Sequence, residues 1–106
     1  MYKIVVFVPM THVQIVKDAL FAAGAGKIGS YDSCCFETKG IGQFRPLPGS
    51  QPYLGQKNVI EKVEEVKIEL VCDEKYLQRS ITALKKHHPY ETPAYDIIKL
   101  INESFE

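Results

Sequence analysis

The sequence lacks a net charge, because 13 lysine and arginine residues balance 13 aspartate and glutamate residues. The two signs also alternate along residues 57–86, as they do on a solvated surface. No overall field therefore attracts nucleic acid or an anionic membrane. We accordingly predict that neither is a partner of this protein.

A long hydrophobic run is also missing. The apolar stretch 2–9 is much shorter than the ~20 residues of a membrane span. It is also not followed by the small-residue cleavage site of a signal peptide. The stretch is predicted to be a strand. With 45% hydrophobic and 25% charged residues, the chain is predicted to form one soluble domain, residues 1–106.

Paired cysteines are absent too. The three cysteines are an odd number without Cys-x-x-Cys spacing, which argues against a disulfide framework or a structural zinc site. A reducing cytoplasm is the expected location. Cys34 and Cys35 are predicted to point to opposite faces of a strand and Cys72 to end another, so all three are interpreted as packing residues. Because no nucleophile has an evident base, we predict that the protein is not an enzyme.

The hydrophobic periodicity predicts the order strand, helix, strand hairpin with a long loop, strand, helix, strand. Thr11 and Gln14 form a capping-box pattern before the first helix, and Gly24 follows its last apolar position. Asp73 is predicted to cap the second helix, and the last strand is expected at about 94–101. This order predicts an α+β, ferredoxin-like split βαβ sandwich with an extra hairpin.

Several local features give more specific expectations. The run Lys39–Gly42 is predicted to be a glycine-rich hairpin loop, and a bulge is expected at Glu64-Glu65, where the strand alternation slips. Phe21 falls on the polar side of the first helix, as either a lone exposed aromatic residue or a subunit contact. The glycines of 24–29 match Gly-x-Gly-x-x-Gly, but they close a helix and so do not indicate dinucleotide binding.

The first strand is apolar on both faces, whereas both helices are expected on one face of the sheet. The opposite face therefore needs cover. We predict that it is buried by self-association, with any activity at the subunit boundaries.

The stretch 87–96 is the densest cluster of potentially liganding side chains in the chain. Pro89 ends the second helix at or just before His88, and Pro93 holds Tyr90 and Glu91 in a constrained corner. One hypothesis is that His88 and Glu91, with or without His87, bind a divalent metal. The alternative, which we favour, is that the same residues hydrogen-bond to the backbone of a buried corner.

Several spaced blocks resemble a known family over nearly the whole chain. They are 24–29 with Tyr31, Cys34 and Phe36; Gly40-x-Gly42-x-Phe44-x-Pro46; Pro52-x-x-Gly55; Glu65-x-x-x-Glu69; and His88-Pro89-Tyr90-Glu91-x-Pro93-Ala94-Tyr95-Asp96. Together they resemble the CutA-like and PII-like domain inserted in YqfO-type members of the Nif-three-like dinuclear-metal family, here as a stand-alone version. The block at residues 88–91 is also similar to the closing motif of CutA. The resemblance implies a ferredoxin-like core and a homotrimer.

The resemblance does not bring the family's dinuclear metal site, because flanking domains absent from this sequence build that site. Two functions remain open. The first is a small non-catalytic trimer that binds a ligand or partner at subunit clefts, with the loop 46–55 acting as the corresponding PII loop does. The second is a CutA-type protein that binds a divalent metal through His88 and Glu91. The candidate ligand-binding residues are His88, Tyr90, Glu91, Gly40 and Gly42.

Overall fold

A computed structural model describes residues 1–101. Within this range, four strands and two α-helices follow one another in the order β1 (Tyr2–Pro9), α1 (Val13–Ala23), β2 (Phe36–Phe44), β3 (Glu61–Cys72), α2 (Glu74–His87) and β4 (Tyr95–Lys99). A short 3-10 turn, Met10–His12, joins β1 to α1. The strands form one antiparallel sheet in the order β2-β3-β1-β4. This confirms the predicted α+β, ferredoxin-like split βαβ fold. No helix within residues 1–101 has the length and apolar character needed to span a membrane.

The core lies between the sheet and the two helices. Along β1, Ile4, Val6 and Val8 are fully buried, and they face Val16 and Leu20 of α1 in the same cluster. We call this side of the sheet the helix face. Because side chains alternate along a strand, the residues between them point to the other side, which we call the open face. The prediction that residues 2–9 form a strand is confirmed, and this strand lies inside the sheet, since β1 pairs with both β3 and β4.

Local signals placed three of the four helix ends correctly. Gly24 closes α1 in the left-handed conformation with φ +110°, which a glycine adopts without a side-chain clash. The Asp73 carboxylate accepts a hydrogen bond from the backbone N–H of Lys75 at 3.0 Å and so caps α2. The second helix ends at His87, because Pro89 cannot continue it.

The predicted start of α1 was wrong. The helix begins at Val13, and the residue at its N-cap position is His12, without a side-chain cap. Thr11 lies in the 3-10 turn, where its hydroxyl is 2.8 Å from Nδ1 of His12. Because Thr11 belongs to the tight turn after β1, it does not occupy the N-cap position and the capping box does not form.

The predicted loop at Lys39–Gly42 was also wrong, and with it the extra hairpin. This stretch is the middle of β2, where Gly40 pairs with Glu65 and Gly42 with Val63. Pairing with β3 overrides the poor strand propensity of glycine. The turn lies further along, in the connection of residues 45–60, so the prediction that 46–55 is a loop is confirmed.

The bulge expected at Glu64-Glu65 does not exist, because β3 keeps one unbroken register against β2 from Glu61 to Glu69. Val63 lies on the open face and Val66 on the helix face. The end of β3 near Glu61 pairs only with β2, beyond the end of β1, so its alternation is not set by the core.

Two other local predictions need correction. Phe21 is not exposed, because it is partly buried against the core, where the backbone around Gly26 folds against its ring. The alternative of a subunit contact stays a prediction. Cys34 and Cys35 precede β2 and do not lie within it, although Cys35 packs against the core as expected. Cys72 does end β3 and is buried.

Candidate functional site

The segment 88–94 between α2 and β4, which we call the corner, is attached to the end of β1 by His88. Its side chain is only 6% exposed, and both ring nitrogens have partners. Nε2 lies 2.7 Å from the carbonyl oxygen of Phe7, and Nδ1 lies 3.1 Å from the backbone nitrogen of Tyr90. Because a carbonyl only accepts and a backbone N–H only donates, the ring carries its proton on Nε2 and is neutral.

Just before β4 begins, the corner already forms hydrogen bonds with the backbone of β1. The N–H of Phe7 donates to the carbonyl of Ala94 at 3.2 Å, and the Phe7 carbonyl accepts from His88. Both backbone groups of Phe7 are thus satisfied by the corner, which fixes its position against β1.

Burial lowers the pKa of His88, and repulsion by His12 acts in the same direction, whereas the bond to Phe7 and the nearby Glu65 carboxylate oppose it. In the unfolded chain the imidazole has its ordinary pKa of about 6.5. Between the lowered folded pKa and 6.5, the unfolded state binds more protons than the folded state. Stability from His88 is therefore complete above about pH 6.5 and is lost as the pH falls below it.

We expect the free energy of unfolding to fall as the pH drops below 6.5, with a contribution from His88 of at most about 1.4 kcal/mol per pH unit. Urea titrations at pH 7.5, 6.5 and 5.5 measure this, with His88→Gln as the control because glutamine keeps an N–H donor but does not titrate. The stability difference between the two proteins should narrow as the pH falls. An unchanged pH dependence in His88→Gln would contradict this account.

Tyr90 connects the corner to the open face of the sheet. Its hydroxyl donates to Oε2 of Glu65 at 2.8 Å, and its ring lies 4.9 Å from that of His88. Burial is the largest cause of the raised pKa of Tyr90, and the Glu65 carboxylate adds to it, so the phenol remains protonated. The Glu65 carboxylate lies over Gly42 and occupies the space that a side chain there would fill. Gly42 is thus required for the position of Glu65.

Glu91 connects the corner to the long loop. Its Oε1 accepts a hydrogen bond from the backbone N–H of Gln51 at 3.0 Å. Two residues later, the Tyr53 ring lies between those of His12 and Tyr90, at centroid distances of 5.7 and 6.3 Å. The loop is therefore attached to the corner by one hydrogen bond and by aromatic contacts.

These contacts enclose a cleft of about 420 Å³ on the open face. Its floor includes Phe7 and Glu65 of the sheet, Tyr90 and Glu91 form one wall, and the loop 46–54 forms the other. The volume lies within the ~300–1,000 Å³ of typical small-ligand pockets. The cleft can hold a small molecule against mainly apolar surface with a few oriented polar groups.

The structure brings most of the predicted site residues together. His88, Tyr90 and Glu91 are neighbours in the corner, and Gly42 meets them through Glu65. Gly40 pairs with Glu65 across the strands but has open space above it. Sequence reasoning missed the roles of Glu65, Tyr53 and Phe44. Glu65 stood in a motif block, but it was interpreted as the site of a bulge.

Binding of a divalent metal by His88 would compete with the hydrogen bonds inside the corner. His88 would have to give up one of its two internal hydrogen bonds to bind one, and the nearby His87 is 3.0 Å from the carbonyl of Ala83. Within residues 1–101, no group of three or more histidine, cysteine, aspartate or glutamate side chains comes together as a metal site. The arrangement instead agrees with the backbone-bonding role favoured for His88.

The fold and the cleft define the class of protein, a CutA-like α+β domain with an open sheet face. CutA1 from Pyrococcus horikoshii superimposes with a TM-score of 0.68 over 99% of this chain and 90% of that one, at 18% identity, which shows the shared fold alone. No protein-family model matches the chain.

Relatives of higher sequence identity show more specifically what the chain is similar to. It is 48% identical over 103 residues, 97% of its length, to a GTP cyclohydrolase 1 type 2 homolog of Halalkalibacterium halodurans, and 44% identical over 95 residues to the homolog of Bacillus subtilis. A Bacillus cereus protein related to NIF3 has a TM-score of 0.81 at 44% identity over 95% of this chain. The chain covers only 28%, 26% and 26% of these three proteins.

The chain is therefore a CutA-like domain homologous to one segment of the NIF3-related proteins, which confirms the resemblance in its sequence. It spans about a quarter of the length of the relatives that it matches.

Proposed function

We propose that this domain is a non-catalytic binding or regulatory module that acts in the cytoplasm as a homotrimer and binds its ligand or partner in the cleft. The observation that carries the proposal is the cleft itself, in which the corner, the loop and Glu65 are joined by hydrogen bonds and aromatic contacts. The relatives' name, GTP cyclohydrolase 1 type 2 homolog, describes much longer proteins, and we propose no share in such a reaction for this domain.

Self-association is supported by the part of the open face that the loop leaves uncovered. There Phe36 at the edge of the sheet is 69% exposed and Ile98 of β4 is 47% exposed. Both belong to the open face, because Phe36 pairs with Glu69 and Ile98 with Lys3. Burying such side chains is favourable by about 25 cal/mol for each Å². In the proposed trimer, neighbouring subunits cover this part of the open face, at the end of the sheet away from the cleft.

The corresponding prediction concerns the loop. We expect deletion of residues 47–54 to leave the fold and the oligomer intact, because the loop contributes no residue to the buried core. The deletion should abolish binding of small fragments that wild-type protein binds. Ligand-observed NMR with a library of mixed charge measures the binding, and light scattering measures the mass, expected at three times the 12.0 kDa of the chain.

The matched control is Tyr31→Ala, which removes a 75% exposed ring outside the cleft and should keep every fragment that binds. A molten deletion variant would show that the loop is structural. Fragments that still bind the folded deletion variant would place the site elsewhere, and a monomeric wild-type mass would contradict the trimer.

A further inference from the structure

The charged groups of the cleft are mostly carboxylates. Glu65 rises from the floor, where it is partly buried, and Glu91 stands at the wall, where it is exposed, as is Arg45, the one basic side chain of the lining. Neither glutamate takes part in an ion pair within residues 1–101; the ion pairs there are Lys3–Glu69, Lys17–Glu37 and Lys67–Glu69. The lining therefore holds two carboxylates and one guanidinium, an excess of one negative charge, and neither carboxylate is paired with a cation in the described part of the chain.

The two carboxylates also have unused hydrogen-bonding capacity. Oε2 of Glu65 accepts from the Tyr90 hydroxyl, and Oε1 of Glu91 accepts from the Gln51 N–H. A carboxylate can accept about four hydrogen bonds through its two oxygens. The polar groups that remain available to a ligand at these two positions are thus acceptors, and they suit a ligand that donates.

Aromatic rings form the apolar part of the same cleft. The rings of Phe44 and Tyr53 lie 5.8 and 6.3 Å from that of Tyr90 and are tilted to it by 54° and 47°. Aromatic faces attract cations through their quadrupole, and they also stack on flat groups. Rings beside carboxylates therefore suit a flat group that is positively charged.

We propose that the cleft binds a small organic cation, in which a planar amidinium or guanidinium group donates to Glu65 or Glu91 and an apolar body lies against Phe44, Tyr53 and Tyr90. This inference rests on the proposed function of the cleft and adds the class of its ligand. A planar N–H fork matches a carboxylate through two parallel hydrogen bonds, which an ammonium point charge does not. The carboxylates of the cleft would repel an anionic ligand.

Three probes of nearly the same shape test the proposal: benzamidinium is a cation, benzamide is neutral and benzoate is an anion. We expect benzamidinium to bind wild-type protein at least about tenfold more tightly than benzamide, a difference of about 1.4 kcal/mol. Benzoate should show no binding. Isothermal titration and ¹H–¹⁵N chemical-shift mapping measure the affinities and the place of binding.

Substitutions test whether the two glutamates themselves, and not the overall charge of the domain, cause the preference for benzamidinium. Glu65→Gln and Glu91→Gln should each reduce the preference for benzamidinium over benzamide. Glu64→Gln should not, because Glu64 pairs with Ile41 on the opposite face of the sheet. The preference is a ratio measured on one protein, so a partly destabilised variant still gives a valid result.

The outcomes distinguish the two proposals. Equal or tighter binding of benzamide or benzoate in the cleft would overturn the cation preference and leave the cleft as a binding site. Binding of none of the three probes would overturn the cation proposal, whereas the fragment library tests the cleft without regard to charge. An unchanged preference in both Gln variants would also overturn the proposal.

Discussion

Replacement of His88 by alanine should lower the free energy of unfolding by about 3–4 kcal/mol. The substitution removes a ring that is 6% exposed and leaves a cavity, and it takes away the partners of the Phe7 carbonyl and the Tyr90 N–H. A lost partner costs about 1–3 kcal/mol and the cavity adds to it. Urea unfolding at pH 7.5 measures the change.

The matched control is His87→Ala. His87 is the preceding residue, and its exposed ring forms a hydrogen bond within its own helix, to the Ala83 carbonyl, so its loss should change stability by less than about 0.5 kcal/mol. His88→Gln keeps a donor for Phe7 and should recover part of the loss. A small effect of His88→Ala, similar to that of His87→Ala, would show that the corner does not depend on the imidazole.

Replacement of Gly24 by alanine should cost about 2–4 kcal/mol, because two penalties combine at one position. A left-handed φ of +110° costs a residue with a Cβ about 1–2 kcal/mol. The new Cβ would also lie 2.7 Å from Cγ of the Tyr76 ring, which is the inner part of the ring and cannot simply swing away. Thermal or urea unfolding measures the loss.

Gly29→Ala separates the two penalties. Gly29 has φ +56°, but no atom lies within 4 Å of the position that an added Cβ would take, so only the backbone penalty of about 1 kcal/mol applies. The difference between the two variants isolates the contact between the end of α1 and Tyr76 of α2. Equal losses would contradict a close approach of Tyr76.

Much of the fold could be predicted because its signals are local. The left-handed cap at Gly24, the carboxylate cap at Asp73 and the break at Pro89 each act within a few residues, so they can be seen in the sequence. The apolar run of residues 2–9 likewise predicted the first strand.

The errors lie where distant residues decide the local structure. Gly40 and Gly42 resemble a turn when they are considered alone, yet they lie in a strand because β3 supplies their partners and Glu65 fills the space above Gly42. The part of β3 near Glu61 extends beyond the end of β1 and contains no buried residue, so its hydrophobic pattern carried no information about a bulge.

The candidate site was predictable in part for the same reason. The corner residues His88, Tyr90 and Glu91 are close in sequence and were found together. Glu65 and Tyr53 are brought to them by the register of β3 and by the path of the long loop, which no spacing in the sequence reveals. Opposite strand faces also explain why Glu65 belongs to the cleft and its neighbour Glu64 does not.

The open face of the sheet has two parts that differ in how they are covered, which the sequence did not indicate. At the end near Phe7, the chain's own loop and corner fold over it and form the cleft. At the other end Phe36 and Ile98 remain exposed. The proposed contact with a partner subunit is therefore confined to that second part.

The most direct test of the cleft as a binding site compares Gly42→Ala with Gly40→Ala. The first places a methyl group where the Glu65 carboxylate lies, whereas the second adds one in open space on the same strand. The measurement is the affinity, by isothermal titration, of a fragment that binds wild-type protein. Our account predicts at least about a tenfold loss for Gly42→Ala and wild-type affinity for Gly40→Ala, with both variants folded. Wild-type affinity in Gly42→Ala, or an equal loss in both, would contradict it.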